Sequence, residues 1–105
     1  MEIKETPLFT KRVPELMDDD EYALLQAALI VNPQLGAVIP GAGGIRKVRW
    51  SGSDRGKRGG TRVIYFAAVA HDTILMLYIY PKNEQEDLSV AQKKALQGVV
   101  RAEYK

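Results

Sequence analysis

Two runs, residues 61–70 (TRVIYFAAVA) and 73–82 (TILMLYIYPK), are apolar at almost every position and are separated only by His71-Asp72. A strand with one wet face alternates apolar and polar residues, whereas a strand apolar on both sides belongs in the middle of a sheet. The short polar break predicts a turn, and the two runs are expected to pair as a long antiparallel hairpin. Whatever else the chain does, it must cover this hairpin.

The flanking segments supply the cover. MEIKE alternates weakly and predicts a short first strand, ended by Thr6-Pro7, an N-cap and first-position proline that open a short helix, PLFTKRV, interrupted at Pro14. The acidic cluster Asp18, Asp19, Asp20 and Glu21 suits the positive end of a second helix. Along EYALLQAALIVNP, Tyr22, Leu25, Ala28 and Leu29 share one face, and Asn32-Pro33 closes the element. An aspartate cluster can instead hold a divalent cation, but the glycine-turn pattern of a calcium loop is missing, so capping is the better reading. PGAGG (Pro40 to Gly44) is a connection, and IRKVRW (Ile45 to Trp50) is a strand. Its period-two alternation sets Arg46, Val48 and Trp50 on one side and Ile45, Lys47 and Arg49 on the other. Val48 and Trp50 are the core candidates, so Lys47 and Arg49 should project together from the opposite face. At the C-terminal end, Ser89 and Gln92 stand at capping-box spacing, and Ala91, Ala95, Leu96 and Val99 form an apolar stripe on a last helix. The order strand, two helices, three or more antiparallel strands, helix predicts one α+β domain spanning 1–105, with helices packed on a twisted sheet.

At 105 residues the chain is long enough to bury a core without staples. It has no cysteine, which removes disulfides, thiolate metal sites and a thiol nucleophile, and points to a reducing cytoplasm. No apolar run approaches the roughly 18 residues of a membrane span, and MEIKETPLFTKRV lacks the apolar core of a secretory signal. A cytoplasmic protein with no membrane partner is expected.

Charge is the functional signal. The net value is +2, yet residues 46–62 hold Arg46, Lys47, Arg49, Arg55, Lys57, Arg58 and Arg62 against the single acid Asp54. A local balance of +6 on a body that is otherwise acidic is the footprint of a polyanion site; its plainer alternative is a solvated basic hairpin face. Gly56, Gly59 and Gly60 let backbone amides approach a ligand, and arginine forks match phosphate oxygens in bidentate fashion. Arg62 opens a strand whose later residues are buried, so packing should hold the base of its side chain at the sheet's end. Hairpin pairing would bring Lys82, after Tyr78, Tyr80 and Pro81, beside it.

Several chemistries are poorly served. The one histidine, His71, sits in the hairpin turn, where it suits the turn better than a catalytic role, and GSDRGKRGG never presents Gly-Lys-Ser/Thr ahead of a helix as a nucleotide P-loop requires. A cationic cluster can still cleave RNA. The 2′-hydroxyl attacks its own phosphate, and the pentacoordinate transition state gains negative charge that preorganised arginines and lysines stabilise. A lysine whose charge is disfavoured by neighbouring cations can exchange protons.

The blocks GGIRKVRW, GKRGGTRVIYF and YPKNEQEDLSVAQKKAL, with TPLFTK near the start, resemble toxins of the RelE/HigB superfamily of bacterial type II toxin–antitoxin modules, closest to the HigB-like branch. The likeness runs from Gly43 to Leu96. It implies a compact α+β fold of microbial-ribonuclease type: an antiparallel twisted sheet, N-terminal helices on one face, and a C-terminal helix. It implies a metal-independent endoribonuclease that enters the ribosomal A site and cuts translated mRNA. The implied partner is a cognate helix-turn-helix antitoxin, HigA-like, whose complex with the toxin binds operator DNA; no cofactor is implied. Carried over by position, the resemblance makes Arg62, Lys57 and Lys82 the catalytic cations and sets Lys47 and Arg49 where relatives place further catalytic or RNA-contacting cations; by charge, Arg46, Arg55 and Arg58 join Lys47 and Arg49 as the RNA-binding set. Where relatives of the RelE branch often carry an arginine and a C-terminal tyrosine or histidine near the active site, KNEQEDL offers Asn83, Glu84 and Glu86 instead. The other readings are a catalytically lapsed RNA- or ribosome-binding module of the same fold, and a small interaction protein whose basic hairpin docks an acidic segment.

Overall fold

Each helix starts where a local side chain satisfies its free amide groups. In the computed structural model, which describes residues 1–50 and 60–104, β1 (Glu2–Glu5) leads to α1 (Pro7–Leu16), whose N-cap Thr6 accepts a hydrogen bond from the Phe9 amide with Pro7 at the first position. Asp18 caps α2 (Asp19–Val31) in a reciprocal capping box with Glu21, and Ser89 does the same with Gln92 for α3 (Val90–Glu103). The acidic cluster is thus accounted for as the start of a helix.

Pro14 does not end α1. It removes only the bond to the Thr10 carbonyl, its fixed φ is compatible with a helix, and the element closes one turn later with the Met17 amide donating to Val13. The interruption expected from the sequence therefore falls two residues early.

The sheet contains β1, β2 (Ala37–Val38), β3 (Arg46–Trp50), β4 (Thr61–Ala68) and β5 (Thr73–Pro81), in the order β1-β5-β4-β3-β2. The hairpin of β4 and β5 lies at its centre as the apolar runs require. A 3-10 turn over Val69–His71 and a left-handed Asp72 (φ 51°) reverse the chain between them. The pairing slips by one residue between Ile64 and Tyr65, a bulge that leaves Leu77 without an opposite residue.

One pairing departs from the expectation of an antiparallel sheet, and one short strand was not expected. β1 runs parallel to β5, with Ile3 beside Ile74, and the long excursion through α1, α2 and the inner strands supplies the crossover a parallel pair needs. β2, only two residues long, pairs with β3 and closes the other edge.

Alternation along the strands divides the core between two faces. On one, Val48, Val63, Tyr65, Ile74, Met76 and Ile79 meet Phe9 and Val13 of α1 and Leu25 and Leu29 of α2. On the other, Ile45, Ile64, Leu75, Leu77 and Tyr80 meet Leu88 and Leu96. The N-terminal helices therefore cover one face and α3 the other. Only part of the expected apolar stripe of α3 is buried: Leu96 faces the sheet, while Ala91, Ala95 and Val99 are exposed. The buried line continues instead through Val100 and the C-cap Tyr104, which packs against Phe66 and His71.

Gly36 fastens the β2 edge. Its amide donates to the Tyr65 hydroxyl at 2.8 Å, that hydroxyl donates to the Pro33 carbonyl at 2.8 Å, and Arg46 Nη1 donates to the Gly36 carbonyl at 2.8 Å. A Cβ there would lie 2.8 Å from the Lys47 carbonyl oxygen and 2.9 Å from the Tyr65 ring. Neither neighbour can give way, since one is backbone and the other a fully buried ring. Gly36→Ala is expected to cost about 1–3 kcal/mol, the usual scale for forcing atoms into a packed site, read as a lowered urea midpoint with an unchanged slope.

Candidate polyanion-binding site

The sheet register builds the site. Arg49 pairs with Arg62, and Arg62 with Tyr80, so these three side chains form one rank across β3, β4 and β5 on the α3 face. Lys47, Ile64 and Tyr78 form the next rank. Side chains directly opposite on neighbouring strands stand about 5 Å apart, so the two guanidiniums repel unless an anion lies between them. That anion is Glu86: its Oε1 lies 3.7 Å from Nη2 of Arg49 and 3.7 Å from Nη2 of Arg62.

Burial separates the two arginines. The Arg62 side chain is 4 % exposed and that of Arg49 69 %. Packing has already desolvated Arg62 and fixed its direction, whereas Arg49 remains free to reach into solvent. Lys47, also mostly buried, pairs with Asp87 at 2.7 Å. The Lys47 ammonium, aided by Lys93 and Arg49, holds the Asp87 carboxyl below the usual carboxylate range.

One turn, residues 82–88, carries all these acids, and it is anchored at several points. Arg12 of α1 grips Glu84 with both arms of its guanidinium, at 2.7 and 3.2 Å, and donates to the Tyr78 hydroxyl at 2.9 Å. This fork pulls the Glu84 carboxyl below its ordinary range. The Tyr80 hydroxyl donates to the Glu86 carbonyl at 3.2 Å; burial pushes that hydroxyl up to about 12, so it stays a donor at any physiological pH. Gln85 donates to Gln92 of α3 at 2.8 Å. The turn is thereby tied to α1, β5 and α3 at once.

Of the cations singled out in the sequence, the structure brings Lys47, Arg49 and Arg62 to one face. Lys82 reaches the same end of the sheet through its backbone: Thr61 pairs with Pro81, and the Lys82 amide donates to the Gly60 carbonyl at 3.4 Å, with the lysine side chain exposed. Arg46 does not join them. It lies on the opposite face, beside Tyr65, with its guanidinium on the Gly36 carbonyl, because adjacent residues of a strand point to opposite sides. Lys57, Arg55 and Arg58 lie outside the described residues. His71 is at the far end of the hairpin, against Tyr104 at 4.7 Å between ring centroids.

Sequence reasoning passed over Arg12, Asp87 and Lys93. The sequence shows acids in EQED, starting three residues after the end of β5, but not which cations they meet.

The comparisons agree with this architecture. A family model described as the RelE toxin of the RelE/RelB toxin–antitoxin system matches residues 8–103. A chain of the crystal structure of the intact E. coli RelBE toxin–antitoxin complex superposes with a TM-score of 0.56 at 12% identity, covering 74% of this chain and 92% of that one. At that identity the likeness is one of fold.

Proposed function

Since the chain belongs to the RelE toxin family, we propose that it is the toxin of a type II toxin–antitoxin module of the HigB-like branch, acting as one domain over 1–105 in the cytoplasm. Its activity is metal-independent cleavage of mRNA on the ribosome. Among the described residues no helix is long and apolar enough to cross a membrane. The observation that carries the reading is the convergence of Arg49 and Arg62 on a single carboxylate oxygen at 3.7 Å each. Two guanidiniums that share one anionic oxygen will also share a phosphate oxygen.

In this reading Arg62, with Lys57 and Lys82, stabilises the charge that builds on the phosphate as the 2′-oxygen attacks and the 5′-oxygen leaves. The 2′-hydroxyl loses its proton to water as the bond from phosphorus to the 2′-oxygen forms, and the 5′-oxygen takes one from water as its bond to phosphorus breaks, giving a 2′,3′-cyclic phosphate and a 5′-hydroxyl. Lys47, Arg49, Arg55 and Arg58 hold the RNA backbone. Arg46 is left out of that set because its guanidinium is committed on the other face. The ribosome supplies the orientation that this site, which shows no imidazole nearby, does not impose alone. A helix-turn-helix, HigA-like antitoxin neutralises the toxin, and the pair binds operator DNA through the antitoxin.

Adding the antitoxin-free polypeptide to a translating extract and mapping message ends by primer extension tests the proposal. New, codon-phased ends are expected on translated messages and none on free RNA. Intact messages would leave only the second reading, a lapsed RNA- or ribosome-binding module.

A further inference from the structure

Beside the Arg49–Arg62 rank, the sheet edge and the start of α3 enclose a cleft of about 450 Å³ that contains neither Arg62 nor Lys82. This volume lies within the roughly 300–1,000 Å³ of small-ligand sites. One wall is apolar, from β2 and the residues after it, including Val38, 51 % exposed, and Pro40. The other is cationic: Lys47 and Arg49 from β3, and Lys93 from the first turns of α3. Asp87 stands between them, its carboxylate 2.7 Å from the Lys47 ammonium, with its side chain 72 % exposed.

Lys47, Arg49 and Lys93 face Asp87, and Glu86, which also reaches Arg49, is shared with Arg62, so a surplus of positive charge remains. The apolar lining from the neighbouring strand β2, whose Ala37 pairs with Lys47, complements a ribose or base rather than a second charged group. That combination selects a nucleotide: phosphate on one side, a flat, weakly polar body on the other. Lys47 is largely buried and therefore fixed, whereas Asp87 sits at the rim with room to swing into solvent. An incoming phosphate can take its place on Lys47 without leaving any charge buried and unpaired.

We propose that the cleft between β2 and the start of α3 is a second phosphodiester seat, for the RNA nucleotide next to the one cut, with Lys93 as its outer cation and Asp87 as the carboxylate the phosphate displaces. The seat rests on the reading of RNA as substrate. It gives α3 a role in binding, and it makes the acidic turn a place-holder for the backbone.

Fluorescence anisotropy with a short, labelled, single-stranded RNA of mixed sequence, run across a salt series, tests it on wild type, Lys93→Ala, Lys94→Ala and Asp87→Asn. Lys94 is the control: it is the next residue, exposed, outside the cleft, and carries the same charge. Alanine favours helix at either position, so folding is not at stake. Lys93→Ala should bind roughly three- to tenfold more weakly, and its log–log salt slope should flatten by about 0.7, the value of one single-strand phosphate contact. Lys94→Ala should match wild type, and Asp87→Asn should bind several-fold more tightly. Equal losses for the two lysines would reduce the effect to net charge and overturn the seat, as would an Asp87→Asn variant that binds no more tightly. The primer-extension assay, run on the same proteins, separates the two proposals. Cleavage by wild type with equal lysine variants removes the seat and keeps the ribonuclease; selective loss in Lys93→Ala without any cleavage does the reverse.

Discussion

Arg62→Lys is expected to cut the rate at which new message ends appear by about 10²–10³, the usual loss when one preorganised donor is taken from a charge-stabilising site. The substitution keeps the charge and most of the stem, so the pairing with Glu86 and the β4 strand should survive. What it removes is the fork, whose two N–H arms can follow a phosphate as its oxygens gain charge, while an ammonium acts as a single point. Arg49 makes the comparison informative, because it lies at the same distance from Glu86 yet its side chain is largely exposed. A solvated guanidinium must give up water and rotamer freedom at each encounter, so Arg49→Lys should weaken RNA binding by a small factor with little change in the bound rate. Circular dichroism of both variants should overlay wild type. An Arg62→Lys protein that cleaves and arrests growth like wild type would remove Arg62 from the chemistry.

The largest effect on stability is expected from Phe9→Ala. Phe9 is fully buried, lies 5.7 Å from the Tyr22 ring between centroids, and joins α1 to the sheet core. Emptying that position costs about 3–5 kcal/mol, against the roughly 5–15 kcal/mol that holds a domain together. The thermal midpoint should fall by roughly 12 °C or more. Leu8, one residue earlier and 48 % exposed, gives the contrast: Leu8→Ala should change stability by about 0.5 kcal/mol or less. The loss has a functional side, since α1 also carries Arg12, the clamp on Glu84. A protein with Phe9→Ala should show faster amide exchange in the turn at residues 82–88 even below its midpoint. Unfolding midpoints that match for Phe9→Ala and Leu8→Ala would mean that the first helix adds little to the core.

The face of the sheet that binds polyanion in this reading is held by acids in the structure itself. Glu86 and Asp87 lie on the cations that RNA would use, so binding exchanges one anion for another. The cost of separating the protein's own ion pairs then comes out of the affinity, so free RNA binds weakly and binding gains where the ribosome has raised the local RNA concentration.

Features fixed by neighbours a few residues apart were legible in the chain. The caps at Thr6, Asp18 and Ser89, the central hairpin, and the convergence of Lys82 with the start of β4 each follow from local chemistry or from the geometry of a single turn. Alternation also separated Lys47 and Arg49 from Val48 and Trp50, and it placed Arg46 on the core side, although its charge alone grouped it with the RNA-binding set. The parallel pairing of β1, the two-residue β2 and the burial of only part of the α3 stripe were not legible, because each depends on which distant segment supplies the other half of the contact. The same holds for Glu86 between two arginines and Lys93 at the rim of a cleft: a charge in a sequence has a sign but no partner. Residue order alone settled where the longer strands, the hairpin turn and the helix starts fall, since hydrogen-bond caps and side-chain alternation act over a few positions. Only the packed sheet decided which cations share a face and which acids reach them, because electrostatic pairing depends on distances that folding alone creates.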